Sequence, residues 1–568
     1  MHMKSILLAI LLLIQFYQSN GQTSIVTASN MTRPVPKVGH MLNYLTKPTW
    51  TNQSFIDSVK TLNLEIIRYP GGTESQYFDW QTGRSVPSSL WSKGTLFNHS
   101  YIGTVPHISY PLSQLYYFYE QTGIKPIFCL NLLTKTLSNQ IQMLQAADSL
   151  GIPIEYIELG NELFFTDKDF ENKYPNPIDY VLDIKNNWIP QISALFPNTQ
   201  IAVIGSYDGL TDLNGNPVPP RIHTWNDTLF ANNLGANAIA FHYYIPPNTT
   251  TISNPNIVQA LAAPFRHWST LKRNTLDNVT NGKECWITEY NLNDGNQTNY
   301  AIASSWTHGL YTASFFSLML EEPKITMLLN HQITGSAAFA SLASYTPFGD
   351  TSTNKLTAEG NAIRLIHQAV KGNNTATKLN FSNNPSITVN TTSYPSLMGW
   401  IFENGSNKDL YILNLSNNDI TLNLSSVITG TFEYEQISAN NPLQKNITTQ
   451  DLIINKGSSS STIQSVAYSL IYVNGQNVTG LHEIISPSSF MVCPNPAKNL
   501  IEIKTDQANS ELVQIEIYDA QGRLIMSKQH SIQKGQTTVE ISSIPSQLLF
   551  IKLTDKGGKH QMIKFLKE

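Results

Sequence analysis

The chain has 568 residues, too long for one ordinary domain, so roughly two to four folding units are expected. Its net charge is −4 and only 13% of its residues are charged, which gives no electrostatic reason to expect nucleic acid or an anionic membrane as a partner. Low charge with 10% aromatic residues suits a protein that binds neutral polyols, although an Asn- and Ser-rich surface set by genome composition explains the polar residues as well.

Residues 1–21 have the pattern of a signal peptide. Lys4 supplies a positive start, an apolar run covers 6–16, and Ser19, Asn20 and Gly21 offer small or polar residues for cleavage. The apolar run is shorter than the ~20 residues that cross a bilayer, and no later segment qualifies. We therefore expect an exported chain without a transmembrane segment.

The cysteines predict neither a disulfide framework nor a metal site. Cys129, Cys285 and Cys493 are widely spaced, and none belongs to a CxxC or Cys/His pattern. Two of them lie in apolar runs, which favours buried thiols. We predict no metal and no cofactor.

Residues 22–374 alternate short β-branched runs with longer amphipathic stretches. Eight runs are predicted as strands, at Val38–Tyr44, Leu64–Tyr69, Lys125–Leu132, Ile154–Leu159, Gln200–Gly205, Asn237–Tyr244, Glu284–Glu289 and Ile325–Asn330. Helical patterns include Leu112–Gln121, Leu137–Leu150, Ile178–Leu195, Val258–Leu271, Ala303–Leu320 and Ala358–Val370. Repeated strand-then-helix units predict an α/β fold, a (β/α)₈ TIM barrel with a short N-terminal strand extension. A doubly wound open sheet is the rival, but no glycine-rich phosphate loop is present.

The helical period disappears after residue 374. Short strand candidates among Asn, Ser, Thr and Gly turns predict an antiparallel β-sandwich over 375–480. A sandwich beside a barrel is either structural or carbohydrate-binding, and the pattern leaves both open.

Residues 486–568 form a third, small all-β unit. It contains PNPAKN at 494–499, IYDAQGR at 517–523 and KFLK at 564–567. These motifs resemble the type A sorting domain of the type IX secretion system of Bacteroidota. The resemblance implies that this machinery is a partner, that the tail is removed, and that the protein is released or anchored at the cell surface. An adhesive immunoglobulin-like domain is the alternative.

Two glutamates stand where predicted barrel strands end. Glu162 follows strand four in Gly-Asn-Glu, and Glu289 closes strand seven in Trp-Ile-Thr-Glu. Because the C-terminal ends of barrel strands meet at one mouth, the two carboxyl groups are expected to face each other. Retaining glycoside hydrolysis needs such a pair: one group protonates the leaving oxygen and the other attacks the anomeric carbon.

The same two motifs resemble those of clan A glycoside hydrolases. The resemblance implies that Glu162 is the general acid/base, with Asn161 beside it, and that Glu289 is the nucleophile. Ordinary surface glutamates at strand ends are the alternative.

The end of the second strand, RYPGGT at 68–73, is followed by FDW at 78–80. It resembles a stretch of family 51 α-L-arabinofuranosidases and of family 79 β-glucuronidase-like enzymes, although Thr73 stands where arabinofuranosidases carry a sugar-binding Asn. An arginine here, Arg68, either keeps the nucleophile ionised and oriented or closes the barrel through an ion pair.

Further candidate substrate contacts end other strands. His242 and Tyr244 are two residues apart on strand six, so both side chains can face the mouth, with core packing as the alternative. Asn131 and Gln332 follow strands three and eight and are candidates for contacts with sugar hydroxyls. Glu158 lies deeper on strand four and is interpreted as a buried structural carboxylate.

The sequence thus predicts a secreted retaining glycoside hydrolase acting on plant or algal polysaccharide or its side chains. Specificity for arabinofuranosides is the first expectation, followed by glucuronides or endo-acting cleavage. The alternative is a non-catalytic, cell-surface carbohydrate-binding or adhesive protein on a degenerate barrel. Such decay should remove one of the two carboxylates first, and Glu162 and Glu289 are both present.

Overall fold

The computed structural model describes residues 22–42, 49–87, 109–213, 215–247, 256–279, 282–292, 302–334, 341–343, 354–405, 407–475, 490–505, 511–519, 523–533, 535–554 and 560–568. The predicted signal peptide lies outside the described residues. The chain divides into two compact units, Met1–Asn477 and Val478–Glu568. Within the described ranges, no helix is both long and apolar enough to cross a membrane.

Eight parallel strands close into a barrel in the first unit, which confirms the predicted (β/α)₈ architecture and excludes the open sheet. We number them barrel strands 1–8 in chain order: Lys37–Met41, Ile66–Tyr69, Lys125–Cys129, Tyr156–Leu159, Gln200–Ile204, Ala238–Ile245, Glu284–Leu292 and Ile325–Asn330. Strand 8 pairs with strand 1 to close the cylinder. Small and apolar side chains fill its lower interior, among them Ala202, Ala238, Ala240, Trp286 and Leu329.

Helices surround this cylinder. Those described are Gln53–Thr61, Leu112–Thr122, Leu137–Ser149, Lys168–Lys173, Pro177–Asp183, Ile189–Leu195, Pro220–His223, Trp225–Phe230, Ile257–Asn274, Trp306–Met319 and Ala358–Val370. The helix predicted over Ile178–Leu195 is interrupted by a π-helical turn at Ile184–Trp188. Pro190 follows this turn and has no N–H to donate, which explains why regular α-helical bonding is lost there.

A nine-stranded sheet packs beside the barrel within the same unit. In spatial order its strands are Ile453–Ser459, Phe432–Ser438, Ser469–Asn474, Asn407–Asn414, Leu397–Asn404, Thr375–Phe381, Gln22–Pro34, Ile420–Asn423 and Thr462–Ser465. Its two halves enclose one apolar core that includes Val26, Ile412, Leu422, Ile463 and Ile471, so the folded sheet forms the predicted sandwich. The pairing is antiparallel except between Gln22–Pro34 and Ile420–Asn423, which run parallel.

The helix Trp306–Met319 lies between barrel and sandwich and is buried on every side. An amphipathic stripe is therefore absent from it, as expected for a helix without a solvent face. The Nε1–H of Trp306 donates to the carbonyl of Tyr468 at 2.7 Å, and that of Trp400 donates to the carbonyl of Ser317 at 3.2 Å. These contacts join the sandwich to the outside of the barrel.

The described residues of the second unit form two sheets. The strands of one are Phe490–Cys493, Leu500–Thr505 and Gln536–Glu540, and those of the other are Leu524–Ile532, Glu511–Asp519, Gln547–Thr554 and His560–Lys567. The beginning and end of this unit meet, because the N–H of Leu566 donates to Asn495 Oδ1 at 2.9 Å and the N–H of Ala497 donates to the carbonyl of Leu566 at 2.8 Å. The PNPAKN and KFLK motifs therefore form one structural feature.

Candidate active site

Arg68 occupies the centre of the barrel mouth and is fully buried. Its Nε and Nη2 donate to the two oxygens of Glu158 at 2.6 and 3.0 Å, and its Nη1 donates to Glu289 Oε1 at 2.6 Å. Nη2 also donates to Asn161 Oδ1 at 2.7 Å. One guanidinium thus links barrel strands 2, 4 and 7 through its ion pairs with Glu158 and Glu289.

Glu289 owes its direction to an irregularity in barrel strand 7. Ile287 pairs with Phe241 and Glu289 with His242, so Thr288 is an extra residue between two successive pairs. Such bulges re-aim side chains and are frequent next to active sites. Here the bulge lets consecutive side chains face the interior: Thr288 Oγ1 donates to Glu158 Oε1 at 3.1 Å, and Glu289 reaches Arg68.

The carboxyl group of Glu289 is ionised at neutral pH. Tyr244 Oη donates to its Oε2 at 2.5 Å, and His242 Nδ1 lies 3.7 Å from the same oxygen. Burial by itself would raise the pKa of this carboxyl, but the cations of His242 and Arg68 and the hydrogen bond from Tyr244 outweigh burial and lower that pKa to about 2.

Glu162 lies three residues beyond the end of barrel strand 4, in a turn. Gly160 has φ +98° and Glu162 has φ +46°, a left-handed conformation that is uncommon for a residue with a side chain. The turn directs the Glu162 carboxyl into the mouth, where 12% of the side chain is exposed. Non-glycine residues held in such conformations cluster at functional sites.

His242 connects the two glutamates. Its Nδ1 lies 2.8 Å from Glu162 Oε1, and its Nε2 lies 3.1 Å from Thr288 Oγ1. Burial by itself would lower the pKa of the imidazole, but the carboxylates of Glu289, Glu158 and Glu162 raise it to about 10. The ring is therefore a cation at neutral pH, and both of its nitrogens donate.

The loop after barrel strand 2 forms one wall of the mouth. A Cβ placed on Gly72 would lie 2.8 Å from Glu289 Oε1, so only a glycine lets the backbone approach this carboxylate so closely. The next residue, Thr73, accepts a hydrogen bond from Asn161 Nδ2 at 3.1 Å. The RYPGGT segment thus contacts residues of both barrel strand 4 and barrel strand 7.

Glu162, His242 and Glu289 each offer one ligand atom, and these atoms lie within 4.8 Å of one another. The cluster meets the distance requirement for a metal ion. However, its acceptors are already bound by donors, and the cations of Arg68 and His242 lie among them. A metal ion would have to displace these hydrogen bonds before it could bind.

The structure brings six of the eight sequence-predicted site residues into direct contact: Arg68, Asn161, Glu162, His242, Tyr244 and Glu289. Asn131 is engaged elsewhere. Its Nδ2 donates to the carbonyl of Phe78 and to Thr134 Oγ1, and its Oδ1 accepts from the N–H groups of 133 and 134. This amide holds the loop after barrel strand 3 and has no capacity left for a sugar hydroxyl.

Gln332 is buried just beyond barrel strand 8, and its carbonyl accepts from the N–H of Ser341 at 2.9 Å. Its neighbour His331 contacts a residue that binds Glu289. The ring of His331 packs edge-on against that of Tyr244, with centroids 5.7 Å apart. Burial lowers the pKa of His331 to about 4, so this ring is neutral.

Two further residues of the site do not stand out in the sequence. Cys129 ends barrel strand 3 beneath Arg68; its Sγ lies 3.1 Å from Ser75 Oγ and donates to the carbonyl of Gly160 at 3.3 Å. Thr288 bridges His242 and Glu158. In the sequence, Cys129 and Thr288 are marked only by their position near the ends of predicted strands. That position does not distinguish a residue of the site from a residue of the core.

Comparison with known proteins identifies the C-terminal unit. Residues 491–568 match the family model of the secretion system C-terminal sorting domain. The tail is therefore similar to this sorting domain. This match confirms the predicted export to the outside or the outer cell surface, while no curated protein is significantly similar to the chain.

Solved structures share the fold of the first unit. A family 51 α-L-arabinofuranosidase from Bifidobacterium longum superposes with a TM-score of 0.61 at 13% identity, over 80% of this chain and 99% of that one. An α-L-arabinofuranosidase from Thermotoga maritima gives 0.58 at 13% identity, with 80% and 99% covered. A 4-O-α-L-rhamnosyl-β-D-glucuronidase from Fusarium oxysporum gives 0.51 at 13% identity, with 79% and 99% covered.

These neighbours are glycoside hydrolases, so the resemblance to such enzymes expected from the sequence is confirmed at the level of the fold. Identities this low do not transfer a reaction or a substrate. Those must be argued from the site itself.

Proposed function

We propose that the protein is a secreted retaining glycoside hydrolase with Glu162 as general acid/base and Glu289 as nucleophile. The observation that carries this proposal is that one oxygen of Glu162 and one oxygen of Glu289 lie within 4.8 Å of each other across the mouth. Retaining enzymes hold their carboxyl groups about 5–5.5 Å apart, whereas inverting enzymes need roughly 6.5–9.5 Å to admit a water molecule.

In the first step, a carboxylate oxygen of Glu289 attacks the anomeric carbon. The bond to the leaving oxygen breaks, its electron pair stays on that oxygen, and the oxygen takes a proton from Glu162. Arg68 and Tyr244 support this role, because their hydrogen bonds orient the nucleophile and keep it ionised. The product of the step is a glycosyl ester on Glu289.

In the second step, Glu162 removes a proton from water, and the water oxygen displaces Glu289 from the anomeric carbon. Two inversions give net retention. His242 supports both steps because its Nδ1, 2.8 Å from Glu162 Oε1, holds that carboxyl in place. Asn161 bonds Arg68 and Thr73, and the second lone pair of its Oδ1 is proposed to accept from a sugar hydroxyl.

We propose plant or algal polysaccharide, or its side chains, as the substrate class, with α-L-arabinofuranosides tested first. The reason for this order is the RYPGGT segment against Glu289, together with the fold shared with arabinofuranosidases. Thr73 is shorter than the Asn of the resembled motif, so glucuronides and internal linkages belong in the same panel. Sugar release from arabinan, xylan, glucuronides and algal polymers is the direct assay.

Stereochemistry and rescue test the mechanism. Proton NMR at early time should detect the retained anomer first; initial appearance of the inverted anomer would remove Glu289 as nucleophile. Azide should reactivate Glu162→Ala and Glu289→Ala and give glycosyl azides of opposite configuration, because azide replaces water in one variant and the nucleophile in the other. Binding of a polymer without any turnover would instead support the non-catalytic alternative.

A further inference from the structure

Arg221 binds the backbone of the loop that carries Glu162. Its Nη2 donates to the carbonyl of Leu163 at 2.7 Å, and its Nε donates to that of Phe165 at 3.2 Å. Its Nη1 donates to the carbonyls of Tyr174 and Pro175 at 2.5 and 3.0 Å. One planar guanidinium therefore joins both ends of the segment 163–175.

The guanidinium of Arg221 is itself held in place by contacts that lead to the barrel. The guanidinium of Arg221 lies over the ring of Trp225, 5.5 Å from its centroid, and Trp225 Nε1–H donates to the carbonyl of Ile204 at the end of barrel strand 5. The ring of Tyr180 packs against the ring of Trp225, with centroids 5.0 Å apart. The hydroxyl of Tyr180 donates to the carbonyl of Leu159 at the end of barrel strand 4. The stack spans the two strand ends next to Glu162.

Glu162 needs such support because its backbone has φ +46°. A side-chain-bearing residue keeps this conformation only when its surroundings impose it. The first carbonyl after Glu162 is that of Leu163, and it is one of the four that Arg221 holds. Freed from this bond, the turn can relax toward the right-handed region, and relaxation would carry the carboxyl away from the mouth.

We propose that Arg221 is a positioning residue for the general acid/base. It does not touch the reacting atoms; it fixes the turn in which Glu162 projects toward the leaving oxygen. This inference rests on the proposed function of Glu162. A lysine cannot replace the arginine, because an ammonium group has no planar fork with which to reach four separated carbonyls.

The leaving group provides the test. Departure of a phenol needs a proton from Glu162, whereas departure of a dinitrophenol needs almost none. In Arg221→Lys we expect kcat/KM for a phenyl glycoside to fall about 10- to 100-fold, the scale of loss for a misplaced catalytic group, with little change for the dinitrophenyl glycoside. The probes are aryl α-L-arabinofuranosides, or aryl glycosides of whichever sugar the polymer panel releases.

Arg33→Lys is the matched control. Arg33 also donates to backbone carbonyls, including that of Glu322 at 2.7 Å, but at the start of barrel strand 8, the end of the barrel away from the mouth. This variant should lose thermal stability as Arg221→Lys does, yet lower both kcat/KM values by the same factor. If Arg221→Lys fails to fold, Trp225→Phe is the second variant, because it weakens the ring contact that holds the guanidinium of Arg221. It should also lower kcat/KM more for the phenyl glycoside than for the dinitrophenyl glycoside.

The outcomes separate the two proposals. If the wild-type protein turns over both aryl glycosides and Arg221→Lys loses activity equally on both, Arg221 is structural only and the inference is overturned. If the wild-type protein hydrolyses neither the aryl glycosides nor any polymer, the proposed function fails and the inference fails with it. A selective loss on the phenyl glycoside supports both.

Discussion

Glu158 and Glu289 share one cation: Arg68 donates to both oxygens of Glu158 and to Oε1 of Glu289, and all three side chains are at most 6% exposed. Two buried carboxylates on strands 4 and 7 thus remain ionised beside each other because a guanidinium lies between them. Removing it would take the shared hydrogen-bond donor from two buried charges and leave them beside His242 at 3.7 to 3.8 Å, which is more costly than losing a surface ion pair.

Arg68→Met should therefore reduce the free energy of unfolding by about 3–5 kcal/mol. It should also lower kcat at least about 100-fold, because Glu289 loses the donor that orients it and keeps it ionised. Urea unfolding and steady-state kinetics measure the two effects. Lys125→Met breaks the exposed pair with Glu155, in which both side chains are over 40% exposed, and should change stability by less than about 1 kcal/mol. Equal losses in the two variants would contradict a central role for Arg68.

The barrel could be predicted because each strand is a short apolar run between clear helical patterns. The meeting of Glu162 and Glu289 could also be predicted, although they are far apart in sequence. In a parallel barrel the C-terminal ends of all strands lie at one mouth. The bulge at Thr288 could not be predicted: strict alternation along strand 7 would place Thr288 and Glu289 on opposite faces. Only pairing with strand 6 shows the extra residue.

The sequence does not indicate the roles of Arg221, which binds the Glu162 loop, or of Glu359, a buried carboxyl group, for a different reason. Arg221 follows two prolines in a polar segment, and its partners are backbone carbonyls, which no side-chain pattern encodes. Glu359 stands in the first turn of the helix Ala358–Val370, where an acidic residue normally caps a helix at the surface. Here it is 1% exposed, because the sandwich and the barrel cover that helix end.

His242 should make stability depend on pH in the alkaline range. Its pKa is raised to about 10 in the folded protein from an ordinary 6.5, so its charge stabilises the fold fully below pH 6.5, and this contribution is lost as the pH rises through about 10. The wild-type protein should lose on the order of 3 kcal/mol more than His242→Gln between pH 6 and pH 9. Urea unfolding at the two pH values measures the difference.

His308 provides the control for that titration. Burial lowers its pKa to about 3, so its contribution is present above pH 6.5 and is lost as the pH falls toward 3. His308→Gln should therefore follow the wild-type protein between pH 6 and pH 9 and differ only in acid. Parallel alkaline curves for the wild-type protein and His242→Gln would show that the imidazole is not charged between the glutamates.

Glu359 should act in the fold as a neutral acid. Burial raises its pKa to about 8, and its Oε1 accepts from Asn291 and Asn330, each at 2.9 Å, and from Thr312 at 3.4 Å. Since the folded pKa lies above the ordinary 4.5, stability from this group is full below pH 4.5 and is lost as the pH rises through about 8.

Glu359→Gln keeps the shape of the side chain and cannot ionise. Between pH 5 and pH 9 it should therefore lose on the order of 4 kcal/mol less stability than the wild-type protein. Thr357→Ala is a useful companion, because it removes the cap on Gly360 of the same helix without adding or removing a titrating group. That variant should be less stable by a constant amount at both pH values; a constant offset for Glu359→Gln as well would mean that Glu359 is already ionised.

Secretion should require the C-terminal unit, because residues 491–568 match the sorting domain and the chain divides at 477/478. In a host with a type IX system, a chain ending at Asn477 should remain inside the outer membrane while the full chain reaches the outside. Immunoblots of periplasmic and external fractions measure the distribution. Fusing residues 478–568 to an unrelated periplasmic protein should export that protein, which separates a sorting signal from a general effect of truncation on folding. Equal external amounts of the truncated and full chains would show that export is directed by another part of the chain.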